Sequence, residues 1–198
     1  MLEKDFEKRT ARLVVRPYRE TDYAVWKSTF STLPEAQSIF DAGPRPVEDL
    51  TRAKFEAVLE LERKERAGDS FYSFMGFEQE TGRLVGGASL MDISRALFQN
   101  AYLGYRVFSP YWRMGYGREM AQAVIDIAFH ELKLHRVEAG IEPENHGSIA
   151  LAQSLKMRFE GVSARRLFMR GQWVDCRLYA LTAEDVGVEF AAESVSRR

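Results

Sequence analysis

The stretch from Phe108 to Phe129, FSPYWRMGYGREMAQAVIDIAF, holds the pattern that decides the fold. It begins with turn-forming residues, passes Gly115 and Gly117, and continues with apolar residues at helical spacing. A helix N-terminus carries unpaired amides and partial positive charge, so it suits an anion, and glycine lets the backbone approach such a ligand closely. A tight turn that binds nothing is the other open interpretation of this local pattern.

Two familiar nucleotide-binding motifs fail at this turn. A Rossmann fingerprint requires a third glycine where Met120 stands. A P-loop requires Gly-Lys-Ser/Thr, and the chain reads Gly117-Arg118-Glu119. Arg113 and Arg118 flank the turn and are candidate partners for phosphate oxygens. If the turn binds a nucleotide, the sequence therefore predicts a pyrophosphate site of a third kind.

The composition bounds the class of protein. With 198 residues, 45% apolar and 29% charged, the chain is predicted to be one soluble domain, residues 1–198, with a core at about 10–186 and a tail at 187–198. A net charge of −1 argues against direct nucleic-acid binding, and the sequence shows no membrane span or signal peptide. A lone Cys176 and three scattered histidines predict a cytoplasmic protein without a metal: His130, His135 and His146.

The order of predicted elements gives a mixed α+β class, because most strands are joined as hairpins and only the later part has helical crossovers. Seven strands are predicted at 11–18, 70–78, 83–93, 100–108, 135–141, 162–170 and 173–181. The first helix is predicted over TDYAVWKSTF, residues 21–30, with Thr21 as its cap. Further helices are predicted at 47–67, at about 117–132 and at 147–157.

Three stretches carry a resemblance to a known family: NAYLGYRVFSPYWRMGYGREM (100–120), AFHELKLHRVEAGIEPENHGSIALAQSLKM (128–157) and GQWVDCRLYAL (171–181). With them the chain resembles the GNAT acyl-CoA-dependent N-acetyltransferases, most of all the RimJ/RimL-type ribosomal-protein N-terminal acetyltransferases. The resemblance implies the GNAT (acyl-CoA N-acyltransferase) fold, a mixed, twisted seven-stranded sheet with helices on both faces. It also implies that the fourth and fifth strands part to admit acetyl-CoA.

The resemblance further implies site residues, position by position. In this family backbone amides hold the pyrophosphate of acetyl-CoA, a strand edge pairs with its pantetheine arm, an asparagine contacts pantetheine, and a serine hydroxyl protonates the leaving thiolate. The matching backbone amides are those of Met114, Gly115, Tyr116, Gly117 and Arg118, with Arg113 beside them. The matching strand edge is at Tyr105 and Val107, the matching asparagine is Asn145, and the matching serine is Ser148.

The sequence leaves the general base open. Some RimL-type members place a glutamate where this chain has Leu167, which cannot take a proton. Glu138 is one alternative, with a salt-bridged structural role as its competing interpretation; a water chain is another, since an α-amine titrates near pH 7.7–8.0.

Other positions depart from the family pattern. Trp112 stands at the first position of the family motif Gln/Arg-x-x-Gly-x-Gly/Ala, where the family has glutamine or arginine. Arg113 replaces a glycine, and Lys156 replaces a helix-ending glycine. A positive φ at Arg113 would add strain of about 1 kcal/mol; otherwise the residue simply adds a cation.

The predicted function is transfer of an acetyl group from acetyl-CoA to a primary amine by direct attack in a ternary complex. The resemblance favours the N-terminal amine of a ribosomal or other protein as the acceptor. A small-molecule amine acceptor, or a non-catalytic acyl-CoA-binding module of the same fold, are the alternatives. The oligomeric state, monomer or homodimer, stays open.

Overall fold

The computed structural model describes residues 6–190, so most of the predicted 187–198 tail lies outside the described residues. The strands are β1 (Lys8–Arg9), β2 (Leu13–Arg16), β3 (Tyr72–Glu78), β4 (Leu84–Ser94), β5 (Asn100–Val107), β6 (Arg136–Ile141), β7 (Arg158–Met169) and β8 (Gln172–Thr182). The helices are α1 (Tyr23–Thr32), α2 (Arg52–Ala67), α3 (Tyr116–His130) and α4 (His146–Ser154).

The predicted α+β class is confirmed. All seven predicted strands are present, and the eighth is the two-residue β1, which is too short to leave a sequence signal. The chain divides into two compact units, Met1–Leu90 with Tyr105–Val124, and Met91–Gly104 with Ile125–Arg198. The prediction of a single domain stays a prediction.

The first unit is built on the antiparallel strands β1 to β4, paired in chain order. Phe77 on β3 packs into an aromatic and aliphatic cluster with Trp26 of α1 and Phe55 of α2. A Cβ at the neighbouring Gly76 would meet Met120 of α3 instead. Successive strand residues point to opposite faces, so helices cover both faces of these strands.

The helices of this unit begin and end where local chemistry dictates. Helix α2 starts after Thr51, whose hydroxyl accepts a hydrogen bond from the amide of Lys54, and it ends at Gly68. The predicted start at Val47 is a short 3-10 turn, Val47–Asp49, rather than the helix itself. Thr51, four residues later, supplies the side-chain cap that an α-helix needs.

The second unit combines one parallel and two antiparallel pairings. Strand β6 pairs parallel with the start of β5 and antiparallel with β8, and β8 forms a hairpin with β7. The parallel register contains three pairs, from Asn100↔Arg136 to Tyr102↔Glu138, whereas β6 continues to Ile141 alongside β8. The register between β5 and β6 therefore ends at Tyr102, and the parting of these strands stays a prediction.

Candidate functional site

The glycine turn follows β5 directly. A 3-10 turn at Ser109–Tyr111 leads through Trp112 into a loop, and α3 begins at Tyr116, one residue earlier than predicted. Gly115 has a φ of 84°, a conformation that glycine adopts without strain. The amide of Glu119 donates to the carbonyl oxygen of Gly115 at 3.2 Å. This is the N-terminal end of α3, the end of a helix that carries partial positive charge.

Arg113 also adopts a left-handed conformation, with a φ of 61°. The sequence left two interpretations of this residue, and the observed φ selects the strained one. A non-glycine residue here adds about 1 kcal/mol of strain. The side chain of Arg113 is nonetheless exposed, so its cation remains on the surface of the turn.

Arg12 and Tyr116 stabilise the turn by side-chain contacts. The Nη1 of Arg12 donates to the carbonyl oxygen of Met114 at 2.8 Å, and its guanidinium lies 4.4 Å from the centre of the Tyr116 ring. Tyr116 is buried, and its hydroxyl donates to the carboxylate of Glu78, a bond that raises the pKa of Tyr116. Of Tyr116, therefore, only the backbone is available to a ligand at the turn.

The end of β5 presents a backbone edge beside the turn. The amide of Phe108 donates to the carbonyl oxygen of Val85 on β4, and a Cβ at Gly86 would clash with the carbonyl oxygen of Arg106. Because backbone groups of successive strand residues point in opposite directions, those of Tyr105 and Val107 point away from β4. The carbonyl oxygen of Val107 accepts a hydrogen bond from the indole of Trp112.

Asn145 and Ser148 lie in the second unit, at the N-terminus of α4. The side-chain oxygen of Asn145 accepts a hydrogen bond from the amide of Ser148 at 3.1 Å, which is a helix N-cap. Both side chains are partly buried. The cap uses the oxygen of the Asn145 carboxamide, and the carboxamide nitrogen is its donor group.

Glu138, the candidate base, lies on β6 within a polar network. Its Oε1 accepts hydrogen bonds from Arg136 at 2.8 Å and from Asn100 at 3.1 Å. Burial alone raises the pKa of this carboxyl, but hydrogen bonds from Arg136, Asn100 and Tyr102 and the charge of Arg136 outweigh it and lower the pKa. The carboxylate is thus held charged by structural partners, which favours the salt-bridged interpretation over the base.

Leu167, at the position of the family glutamate, lies on β7 opposite Val174 and is partly exposed. Among the described residues, 6–190, there is no cluster of three or more histidine, cysteine, aspartate or glutamate side chains suited to a metal ion. Within the same residues, every helix is too short or too polar to cross a membrane.

A strand followed by a glycine turn and a helix is the succession that the resemblance to the acyl-CoA N-acyltransferases implies for residues 100–130. Residues 12–158 match the family described as Acetyltransferase (GNAT) domain. The chain belongs to this family.

Three similar proteins illustrate the range of its relatives. The chain is 36% identical over 117 residues to the Probable N-acetyltransferase YjcK of Bacillus subtilis. This match covers 59% of this chain and 65% of YjcK. It is 31% identical over 120 residues to the [Ribosomal protein uS5]-alanine N-acetyltransferase of Escherichia coli, with 61% of each chain covered. Both matches span less than two thirds of the relative's length.

The solved structure of Mycobacterium smegmatis RimJ in complex with CoA-disulfide superposes with a TM-score of 0.71. The superposition covers 92% of this chain and 87% of the other, at 24% identity, and supports the fold.

Proposed function

We propose that this protein is an acetyl-CoA-dependent N-acetyltransferase that acetylates a primary amine by direct attack in a ternary complex. The observation that carries the proposal is the turn at 113–118. It follows a strand, holds Gly115 at a positive φ and leads into a 15-residue helix. Arg12 stabilises it through a hydrogen bond to Met114 and a contact with the ring of Tyr116. Rigid amides at a positive helix end fit a pyrophosphate.

In this proposal the backbone amides of residues 114–118 hold the pyrophosphate, with the cations of Arg113 and Arg118 at its side. The outward backbone groups of Tyr105 and Val107 pair with the amides of the pantetheine arm, as an added strand would. Since the carbonyl oxygen of Val107 already accepts from Trp112, its amide is the group offered to pantetheine.

Acetyl-CoA supplies the activated acetyl group, and the residues of this chain provide binding and proton transfer. The carboxamide nitrogen of Asn145 donates to pantetheine. The hydroxyl of Ser148 gives its proton to the thiolate sulfur and regains one from water. A backbone amide on the strand edge at 105–107 stabilises the developing oxyanion. The amine loses its proton to solvent through water, because Glu138 is committed to Arg136 and Asn100.

The proposed acceptor is the N-terminal amine of a protein, with a ribosomal protein as the leading candidate. One named relative supports it, the [Ribosomal protein uS5]-alanine N-acetyltransferase of Escherichia coli. A small-molecule amine is the second candidate, since structural neighbours include a spermidine N-acetyltransferase. The proposed location is the cytoplasm.

The experiment is an acetyl-transfer assay by mass spectrometry, with acetyl-CoA and a peptide that begins with a free N-terminal alanine. The same peptide with a blocked N-terminus is the control, and spermidine is the competing acceptor. We expect acetylation of the free peptide alone. Acetylation of spermidine alone would reassign the acceptor, and no transfer to any amine despite CoA binding would favour the non-catalytic binding module.

Ser148→Ala tests the proton donor in the same assay. Turnover should fall at least tenfold, within the range for loss of one general acid, while the affinity for CoA changes little because Ser148 donates its backbone amide, not its hydroxyl, to the cap of α4. Unchanged turnover would remove Ser148 from the mechanism.

A further inference from the structure

A carboxylate stands in the first turn of α3, where the proposed function places an anion. Glu119 is the fourth residue of this helix. An acidic side chain there stabilises the helix, because it complements the positive helix end. The same negative charge, however, competes with a pyrophosphate for that positive potential. A phosphate-binding turn that keeps this residue needs a way to neutralise it.

Arg12 provides that neutralisation. Its Nε and Nη2 lie 2.8 Å and 2.7 Å from Oε2 of Glu119, and its backbone amide donates to Oε1 at 2.7 Å. The hydroxyl of Thr10 donates to the same Oε1 at 2.5 Å. Burial raises the pKa of the Glu119 carboxyl, but these hydrogen bonds and the charge of Arg12 outweigh it and lower the pKa. The carboxylate stays ionised and turned towards Arg12.

The same guanidinium also fixes the turn itself. Its Nη1 holds the carbonyl oxygen of Met114 at 2.8 Å. A Cβ at Gly115 would lie 3.2 Å from its Nη2, so the guanidinium closes one side of the turn. With the Met114 carbonyl drawn to that side, the peptide amide that follows it points the other way, since the C=O and N–H of one peptide unit are antiparallel.

We propose that Arg12 is a positioning residue for the pyrophosphate site, and that it acts in two ways. It orients the turn through the carbonyl of Met114, and it neutralises Glu119 so that the helix end attracts an anion. The inference rests on the proposed function, because it presumes that the turn binds the pyrophosphate of CoA. The residue lies 107 positions before Glu119, on the segment that leads into β2.

The test measures the dissociation constant of free CoA by isothermal titration calorimetry for the full chain and four variants. Arg12→Ala should weaken CoA binding about tenfold, since it leaves an unneutralised carboxylate in the first turn. Arg12→Lys, which keeps the charge without the planar fork, should give an intermediate loss. Arg63→Ala removes an exposed arginine of α2 that is paired with Glu60, and it should leave the affinity unchanged.

The double variant Arg12→Ala with Glu119→Gln separates positioning from general stability. Removing the carboxylate should restore a large part of the lost affinity, even though the double variant has lost both partners of the ion pair. If Arg12 acted in folding alone, the double variant would have a lower melting temperature than Arg12→Ala and would recover none of the lost CoA affinity. If Arg12→Ala does not fold, Arg12→Lys with and without Glu119→Gln gives the same comparison.

The outcomes distinguish this inference from the proposed function. Wild-type protein that binds no CoA would overturn the proposed function. Wild-type binding with unchanged affinity in Arg12→Ala, or a double variant no better than Arg12→Ala, would overturn only the role of Arg12.

Discussion

The indole Nε1 of Trp112 donates a hydrogen bond of 2.7 Å to the carbonyl oxygen of Val107. This bond joins the residue just before the turn at 113–118 to the strand edge that is proposed to bind pantetheine. Trp112 stands where the family pattern has glutamine or arginine, and its N–H supplies a donor as those side chains do. The departure in sequence thus keeps a hydrogen-bond donor at that position.

Trp112→Phe should weaken CoA binding by about twofold to tenfold, the effect of losing one hydrogen bond. Because this bond is also present in the free protein, its melting temperature should fall by a few degrees, and the retained ring limits any further loss. Trp173→Phe is the matched control, because Trp173 is exposed in the β7–β8 hairpin. Equal CoA affinities for wild type and Trp112→Phe, measured by calorimetry, would show that the strand edge does not depend on this bond.

Gly86→Ala should destabilise the first unit. A Cβ at this position would clash with the carbonyl oxygen of Arg106 and lie 2.9 Å from the Cα of Val107, and backbone atoms cannot move aside as a side chain can. Overpacking of this kind costs about 1–3 kcal/mol. Gly43→Ala is the control, because its nearest neighbour would be at an ordinary 3.5 Å. Urea unfolding that gives equal stabilities for the two variants would contradict the close approach of β4 and β5.

Lys156→Gly should stabilise the protein by about 0.5–1 kcal/mol. Lys156 ends α4 with a φ of 61°, and the amide of Met157 donates to the carbonyl oxygen of Ala152, so a glycine would relieve strain without losing a bond. Lys64→Gly, inside α2, should instead destabilise by a similar amount. The pair is measured by thermal unfolding, and the two shifts should have opposite signs; a lower melting temperature for Lys156→Gly would refute the strain.

Glu62→Gln should change the dependence of stability on pH. Burial raises the pKa of the Glu62 carboxyl from 4.5 to about 7, and a hydrogen bond with Ser73 and the charge of Arg66 offset this in part. The folded state therefore holds a proton that the unfolded chain releases, so the stabilisation is complete below pH 4.5 and is lost as the pH rises through 7.

The loss should be on the order of 2 kcal/mol between pH 5 and 8, and it should be absent in Glu62→Gln. Glu60→Gln, an exposed neighbour on α2, should retain the wild-type slope. Urea unfolding at several pH values measures both. If Glu62→Gln and wild type lose stability in parallel, Glu62 is not the titrating group.

Much of the fold was predictable because its signals are local. The helix predicted at 47–67 ends at Ala67, and the strands predicted at 70–78 and 83–93 form an antiparallel pair, β3 and β4. Errors fell where neighbouring residues compete: a 3-10 turn precedes α2, and α3 starts at Tyr116 rather than Gly117. Each boundary depends on which residue supplies a cap or a positive φ.

The site was predictable only in part. The glycine turn and Asn145 lie within short motifs, so spacing and resemblance mark them as candidates; the helix cap that Asn145 forms is seen only in the structure. The sequence alone does not determine the sign of φ at Arg113, because arginine is compatible with either conformation there; the structure gives 61°. Arg12 and Glu119 are in contact although they are 107 positions apart, so a local sequence pattern cannot predict their contact. The partners of Glu138 are Asn100, on the neighbouring strand β5, and Arg136, two residues earlier on β6. The contact with Asn100 depends on strand pairing, which the sequence of β6 does not determine.

The central claim is that the turn at 113–118 binds the pyrophosphate of CoA, and ligand-dependent thermal unfolding tests it most directly. The protein is heated with acetyl-CoA, free CoA, NADH or ATP, each added separately at millimolar concentration. A ligand at 100 times its dissociation constant stabilises the fold by about 2.7 kcal/mol, a shift of several degrees. We expect this shift with both CoA forms and not with NADH or ATP. No shift with either CoA form would contradict a pyrophosphate site at the turn.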